Sequence, residues 1–214
     1  MTVKAVLFDL EGTLAYYAKK HNPIDATRLV RSLGYEVRYQ EWEAARRFVL
    51  FVDVPKGAIN NWENFIKRMF ERLEMNVGRD AMKKVASYYK KSTRFRFFDD
   101  VSAAKRIPLK KAVVTSIPRF WFTNLDMGGF DEVITSKESG AAKPNPKCFL
   151  KALHALGVNP GEALMIGNDL DADMSPAKEL GIDAILIDRE GILKAYGGRR
   201  ISSLTEIANE ISTL

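Results

Sequence analysis

The chain has 214 residues, with 46% apolar content and a net charge of +6. That suits one globular domain, with or without an insertion, and no apolar run approaches the roughly 20 residues of a membrane span. The positive charge favours anionic partners, but the basic residues lie in scattered pairs such as Lys67-Arg68 and Lys110-Lys111 and form no recognised nucleic-acid module. The expected partner is therefore a small anion rather than nucleic acid or a membrane. A single cysteine, Cys148, excludes an internal disulfide framework and points to a reducing, cytoplasmic setting.

The first stretch, residues 3–8, is apolar apart from Lys4 and ends at Asp9-Leu10-Glu11-Gly12-Thr13. It reads as a buried strand stopped by a glycine turn, rather than as a signal peptide. Asp9 and Glu11 leave that strand on one side. Two carboxylates held together need a cation, a shared proton or solvent between them. Residues 17–94 then show helical patterning and no convincing strand. Asn22-Pro23 starts a first helix that Gly34 ends, and further helices are predicted over residues 41–52, 62–75 and 79–91. Residues 92–99, with their Arg-Phe-Arg-Phe-Phe run, read as a return linker.

Strands and helices alternate afterwards. Strands are predicted over residues 111–116, 131–135, 163–167 and 182–187. Helices are predicted over 117–125, after Asn145-Pro146 as far as Gly157, from Ser175-Pro176 to Gly181, and over 203–211. The composition shift gives an α/β core, residues 1–16 and 95–214, with a helical insertion at 17–94. Parallel strands would bring Asp9/Glu11, Thr115/Ser116, Lys143 and the acidic group Asp169/Asp171/Asp173 to one sheet edge, where open α/β sheets bind ligands.

In that order these residues resemble the motifs of the haloacid dehalogenase superfamily. Asp9-Leu10-Glu11-Gly12-Thr13 is similar to its first motif, Asp-x-Asp-Gly-Thr. Thr115 after a strand is similar to the second, Lys143-Pro144-Asn145-Pro146 to the third, and Gly167-Asn168 with Asp173 to the fourth. The resemblance implies a Rossmann-like three-layer core with a parallel sheet and a helical C1 cap. It implies a Mg2+-dependent phosphatase of a small phosphorylated metabolite, working as a monomer or homodimer. By the same resemblance Asp9 is the nucleophile and Glu11 the acid and base. Thr115, the Ser116 backbone and Lys143 hold the phosphoryl group. The metal falls to Asp9, the Leu10 carbonyl and the late acids, with Asn168, Asp169 and Asp173 as candidates.

The chain departs from the family pattern twice. Glu11 replaces an aspartate, as in the enolase-phosphatase branch, and argues against an L-2-haloacid dehalogenase, which lacks an acid there. Asn168 replaces a metal-binding aspartate and offers one neutral oxygen. A dehalogenase, or a catalytically weak phosphate-binding homologue, are the alternative readings. His21, His154 and the three tryptophans carry no ligand pattern, and Arg46 and Arg47, which could touch an anionic substrate, read more readily as solvated arginines.

Overall fold

Strand β1 (Ala5–Phe8) is buried along its whole length because it runs through the middle of a parallel sheet. The computed structural model describes residues 2–212. The other strands of the sheet are β4 (Lys110–Thr115), β5 (Glu132–Thr135), β6 (Ala163–Gly167), β7 (Asp183–Ile187) and β8 (Arg200–Ile201). Their order is β5-β4-β1-β6-β7-β8. β1 pairs with β4 (Leu7 opposite Ala112) on one side and with β6 (Leu7 opposite Met165) on the other. Alternation along β1 splits the core. Val6 and Phe8 face one apolar cluster, while Ala5 and Leu7 face a second that includes Phe149 and Leu153 of α7 (Lys147–Leu156) and Ala177 of α8 (Ser175–Glu179). The result is an α/β sheet covered on both faces, as parallel sheets require.

Between β1 and β4 lie α1 (Pro23–Ser32), α2 (Tyr39–Phe48), α3 (Trp62–Arg72) and α4 (Arg79–Ser92). The helix-start signals are realised: the Asn22 side chain accepts from Ile24 N and the Asn61 side chain from Asn64 N. Asp53, at the end of the π-helical turn after α2, ties that turn to α3 through Arg68 Nε (2.9 Å) and Arg72 Nη2 (2.7 Å). The buried face of these helices shares one apolar cluster with the Val6/Phe8 face of the sheet.

Four expectations are corrected. The insertion does contain strands: β2 (Ala15–Lys19) and β3 (Arg94–Phe97) form an antiparallel pair at its two ends. The Arg-Phe-Arg-Phe stretch is one of these strands rather than a linker, with Phe95 buried and Arg94 and Arg96 exposed. Residues 117–125 hold one 3-10 turn, Arg119–Trp121, in place of a helix. Tertiary contacts pin that segment: Trp121 and Phe122 are buried and the Asn124 side chain donates to the Phe95 carbonyl (2.7 Å). The late acidic stretch is capped by Asp169 rather than Ser175 and makes a π-helical turn over Leu170–Met174 before α8 begins.

Asp100, just before α5 (Val101–Arg106), clamps the C-terminal end of the chain. Its carboxylate accepts from Arg189 Nη1 (2.9 Å), Ser203 Oγ (2.9 Å) and Leu204 N (2.9 Å). Burial pushes this carboxyl up, but those donors outweigh it and hold it below its ordinary value of 3.8. A depressed carboxyl stabilises the fold above its unfolded pKa and loses that contribution as pH falls through the folded one. Asp100→Ala should cost about 1–3 kcal/mol at neutral pH, read by urea unfolding, and the gap to wild type should close as pH drops below about 3.8.

Candidate active site

The carboxyl ends of the adjacent strands β4, β1 and β6 deliver Thr115/Ser116, Asp9 and Asn168 to one edge. Lys143 reaches the same point from the loop before α7. Its Nζ lies 2.5 Å from Asp9 Oδ1 and 2.5 Å from Asp173 Oδ1. All three side chains are less than 10% exposed, at 4%, 9% and 1% for Lys143, Asp9 and Asp173. One ammonium thus serves two buried carboxylates.

The electrostatics follow from that count. Burial raises the Asp9 pKa against the pull of Lys143. Burial likewise pushes Asp173 up to about 7, with Lys143 opposing and Asp9 adding to the rise. Burial alone would lower Lys143, but Asp173 and Asp9 more than offset it and hold it charged. Two carboxylates against one lysine leave a second negative charge to be met by a proton, as the raised pKa values favour, or by a further cation.

The loop after β1 is shaped by backbone bonds. Leu14 N (3.0 Å) and Ala15 N (2.8 Å) both donate to the Leu10 carbonyl, and Gly12 N donates to Ala15 O (2.8 Å). Both lone pairs of the Leu10 oxygen are therefore spent on the turn. This carbonyl, a metal ligand in the sequence reading, is turned into the turn instead of toward the carboxylates. The hydrogen bonds around Asn168 are best met with its amide nitrogen toward the Glu11 carbonyl (2.9 Å), Asp9 Oδ2 (3.2 Å) and Thr13 Oγ1 (3.2 Å). The carbonyl at this corner is thus that of Glu11. Gly12 makes room for Asn168: with φ +87°, a Cβ there would lie 2.4 Å from the amide.

The late acids separate. Asp173 joins Lys143, and its Oδ2 accepts from Asp169 N (3.2 Å). Asp169 Oδ1 caps the π-helical turn, accepting from Asp171 N (2.9 Å) and Ala172 N (2.8 Å). Thr115 Oγ1 accepts from Ile117 N (3.1 Å), which leaves its proton free to donate. Ser116 Oγ accepts from Lys143 N (3.0 Å) and so fixes the lysine loop.

Mg2+ suits these donors. Asp9, Asp173, the Glu11 carbonyl and, after a half-turn of its amide, Asn168 offer hard oxygens only. No group of three or more His, Cys, Asp or Glu side chains converges among the described residues, and Mg2+ characteristically takes one or two carboxylates and keeps several waters.

Above this corner opens a cavity of about 700 Å3. Glu11, half-buried, stands at its side, its pKa raised by burial against Lys20, Arg46 and Lys143. Lys20 Nζ lies 3.8 Å from Glu11 Oε1. The insertion supplies the roof, including Tyr17, His21, Glu43, Arg46 and Leu50. Two of these were missed in the sequence. Arg46 is not a solvated arginine: its side chain is 16% exposed and its Nε donates to Glu43 Oε2 (2.8 Å). The i,i+3 spacing of Glu43 and Arg46 carried that signal. His21 is buried, with Nδ1 3.1 Å from Thr93 Oγ1 and its ring 4.7 Å from that of Tyr89. Nothing local in the sequence announced it.

A family model described as haloacid dehalogenase-like hydrolase matches residues 3–181. The chain is similar to the glyceraldehyde 3-phosphate phosphatase of Methanopyrus kandleri, 30% identical over 206 residues that cover 87% of this chain and 84% of that one. It is similar to the enzyme of the same name from Pyrococcus furiosus, 26% identical over 86% of this chain and 80% of that one. Among solved structures, a HAD phosphatase from Thermococcus onnurineus is 27% identical, with a TM-score of 0.63 and 98% of each chain covered. A 2-haloacid dehalogenase from Pseudomonas syringae, 21% identical with a TM-score of 0.70 and 99% of each chain covered, shares the fold.

Burial, reinforced by the charges of Arg46 and Lys20, pushes His21 down to about 3, so the ring is neutral in the fold near pH 7. A lowered histidine pKa means that stability is lost as pH falls below the unfolded value near 6.5, at up to about 1.4 kcal/mol per pH unit. Thermal unfolding of wild type and His21→Gln, compared from pH 7 to pH 5, should show wild type losing stability relative to the variant on the acid side.

Proposed function

The chain belongs to the haloacid dehalogenase-like hydrolases and is a phosphatase acting on phosphoric monoesters, and on that premise we propose that it hydrolyses a small phosphorylated metabolite, with Mg2+, through an aspartyl-phosphate on Asp9. The observation that carries this reading is the Lys143 ammonium held 2.5 Å from both Asp9 and Asp173 at the floor of the cavity. Two unit charges about 4 Å apart repel by roughly 4 kcal/mol at an effective dielectric near 20. A carboxylate can therefore attack a phosphate ester only where positive charge is already in place.

Asp9 attacks phosphorus, and the ester bond to the leaving alkoxide breaks. Glu11 gives that oxygen its proton; the raised pKa of the half-buried carboxyl supports this role. The free proton of Thr115 and the Ser116 N–H hold phosphoryl oxygens, and Lys143 offsets their charge. Glu11, now ionised, takes a proton from water, which attacks the phosphorus and returns Asp9 with release of inorganic phosphate. Asp9, Asp173, the Glu11 carbonyl and Asn168 would hold the Mg2+, with Asp169 beside them; bound there, it supplies the positive charge that one lysine leaves short. The helical insertion, residues 17–94, acts as a cap that excludes water and selects the substrate. Glu11 supports phosphoester chemistry over dehalogenation. The one cysteine, buried Cys148, suits a reducing cytoplasm.

Turnover of p-nitrophenyl phosphate and of glyceraldehyde 3-phosphate, with and without Mg2+, tests the proposal. Asp9→Asn should abolish activity, and Glu11→Gln should lower kcat by about 100- to 10,000-fold. No turnover with any divalent cation, or halide release from 2-chloropropionate, would overturn it. Asn168→Asp restores a charged oxygen and should lower the Mg2+ concentration for half-maximal rate. An unchanged requirement would move the metal away from residue 168.

A further inference from the structure

A second and larger cavity, about 1040 Å3, lies on the far side of Trp121 from the first, between α4 and the loop after β4. Lys83, Lys90 and Lys91 of α4, with Arg94 just beyond it, line it. Lys83, Ser87 and Lys90 fall on one face of α4, Arg94 opens β3 just beyond it, and Glu63 is the acid among the lining residues. None of the four cations has an ion-pair partner among the described residues. All four are exposed, and together they put a positive field over one concavity that favours an anion.

The opposite wall is aromatic. Trp62 and Trp121 stack with centroids 5.1 Å apart and planes 12° off parallel, and the half-buried Phe120 meets Trp62 edge-on at 5.2 Å. Trp121 is 3% exposed, yet its Nε1 has no hydrogen-bond partner. A buried donor left unpaired is costly, and the Trp121 side chain lines both cavities. The volume suits a bound small molecule.

We propose that this cavity binds a nucleoside di- or triphosphate, its phosphates on Lys83, Lys90, Lys91 and Arg94 and its ring against Phe120. Lys83 and Lys90 lie about 10 Å apart along the helix axis, a span for a chain of phosphates rather than for one. The half-buried Phe120 is the part of the aromatic wall that a ring could stack on, and a bare polyphosphate would leave it unused. The ligand touches both the insertion and the loop that follows Thr115 and Ser116, so it would brace the two against each other.

Thermal unfolding and tryptophan fluorescence, in EDTA, with ATP and separately with inorganic tripolyphosphate, test this without any turnover. Failure of the phosphatase reading therefore leaves the test intact. ATP should raise Tm by several degrees and change the emission of Trp62 and Trp121, and tripolyphosphate should bind at least tenfold more weakly. Lys83→Glu/Lys90→Glu, which changes exposed side chains only, should weaken ATP binding at least tenfold with its own Tm near wild type. If that pair of reversals unsettles the fold, Lys90→Ala alone should still weaken binding severalfold. Absence of any response at millimolar ATP, equal binding of tripolyphosphate, undiminished binding in the charge variants, or complete displacement of ATP by orthophosphate, which would place it in the first cavity, would each overturn the proposal.

Discussion

Everything at the sheet edge answers to one ammonium shared by two carboxylates. Lys143, Asp9 and Asp173 come from three separate stretches of chain and meet where water is nearly absent. Burying any one of them alone would be prohibitive. Buried together they form a preorganised charge arrangement with two acids on one ammonium. The same demand dictates small residues nearby. A Cβ on Gly167 would sit 2.3 Å from Asp173 Oδ2, so the end of β6 can carry no side chain. The parallel pairing of β1 with β4 and β6 brings Thr115 and Asn168 to either side of Asp9, each about a strand spacing away.

The insertion completes this arrangement from above. Its helices share an apolar cluster with one face of the sheet, so the roof is seated by burial as well as by its two connecting strands. Trp121 borders both cavities and its ring lies 5.5 Å from that of His21. One indole therefore belongs to the walls of both the cavity over Asp9 and the basic cavity, and any shift of that ring is felt in each.

Much of the core was legible because its signals are local. Residues 3–8 and 163–167 are short apolar runs ended by glycine or an acid, and they are β1 and β6. Asn22-Pro23 announced α1, and Gly157, at φ 64°, ended α7. What escaped was non-local. β2 and β3 pair across more than seventy residues, so neither strand is recognisable alone. The Leu10 and Glu11 carbonyls are told apart by a turn whose bonds close only in three dimensions. Asp169 and Asp173 look equivalent in sequence, but the π-helical turn spends one on capping and sends the other inward. His21 and Arg46 read as ordinary polar residues until the roof folds over them.

The β2–β3 ribbon places Ala15 opposite Phe97, so the polypeptide leaves the sheet and returns to it at practically the same spot. Some eighty residues are thus spliced in at a single doorway, and the sheet's own connectivity does not depend on what hangs there. A lineage could lengthen, shrink or trade the module beyond that doorway while inheriting the chemistry beneath it unchanged.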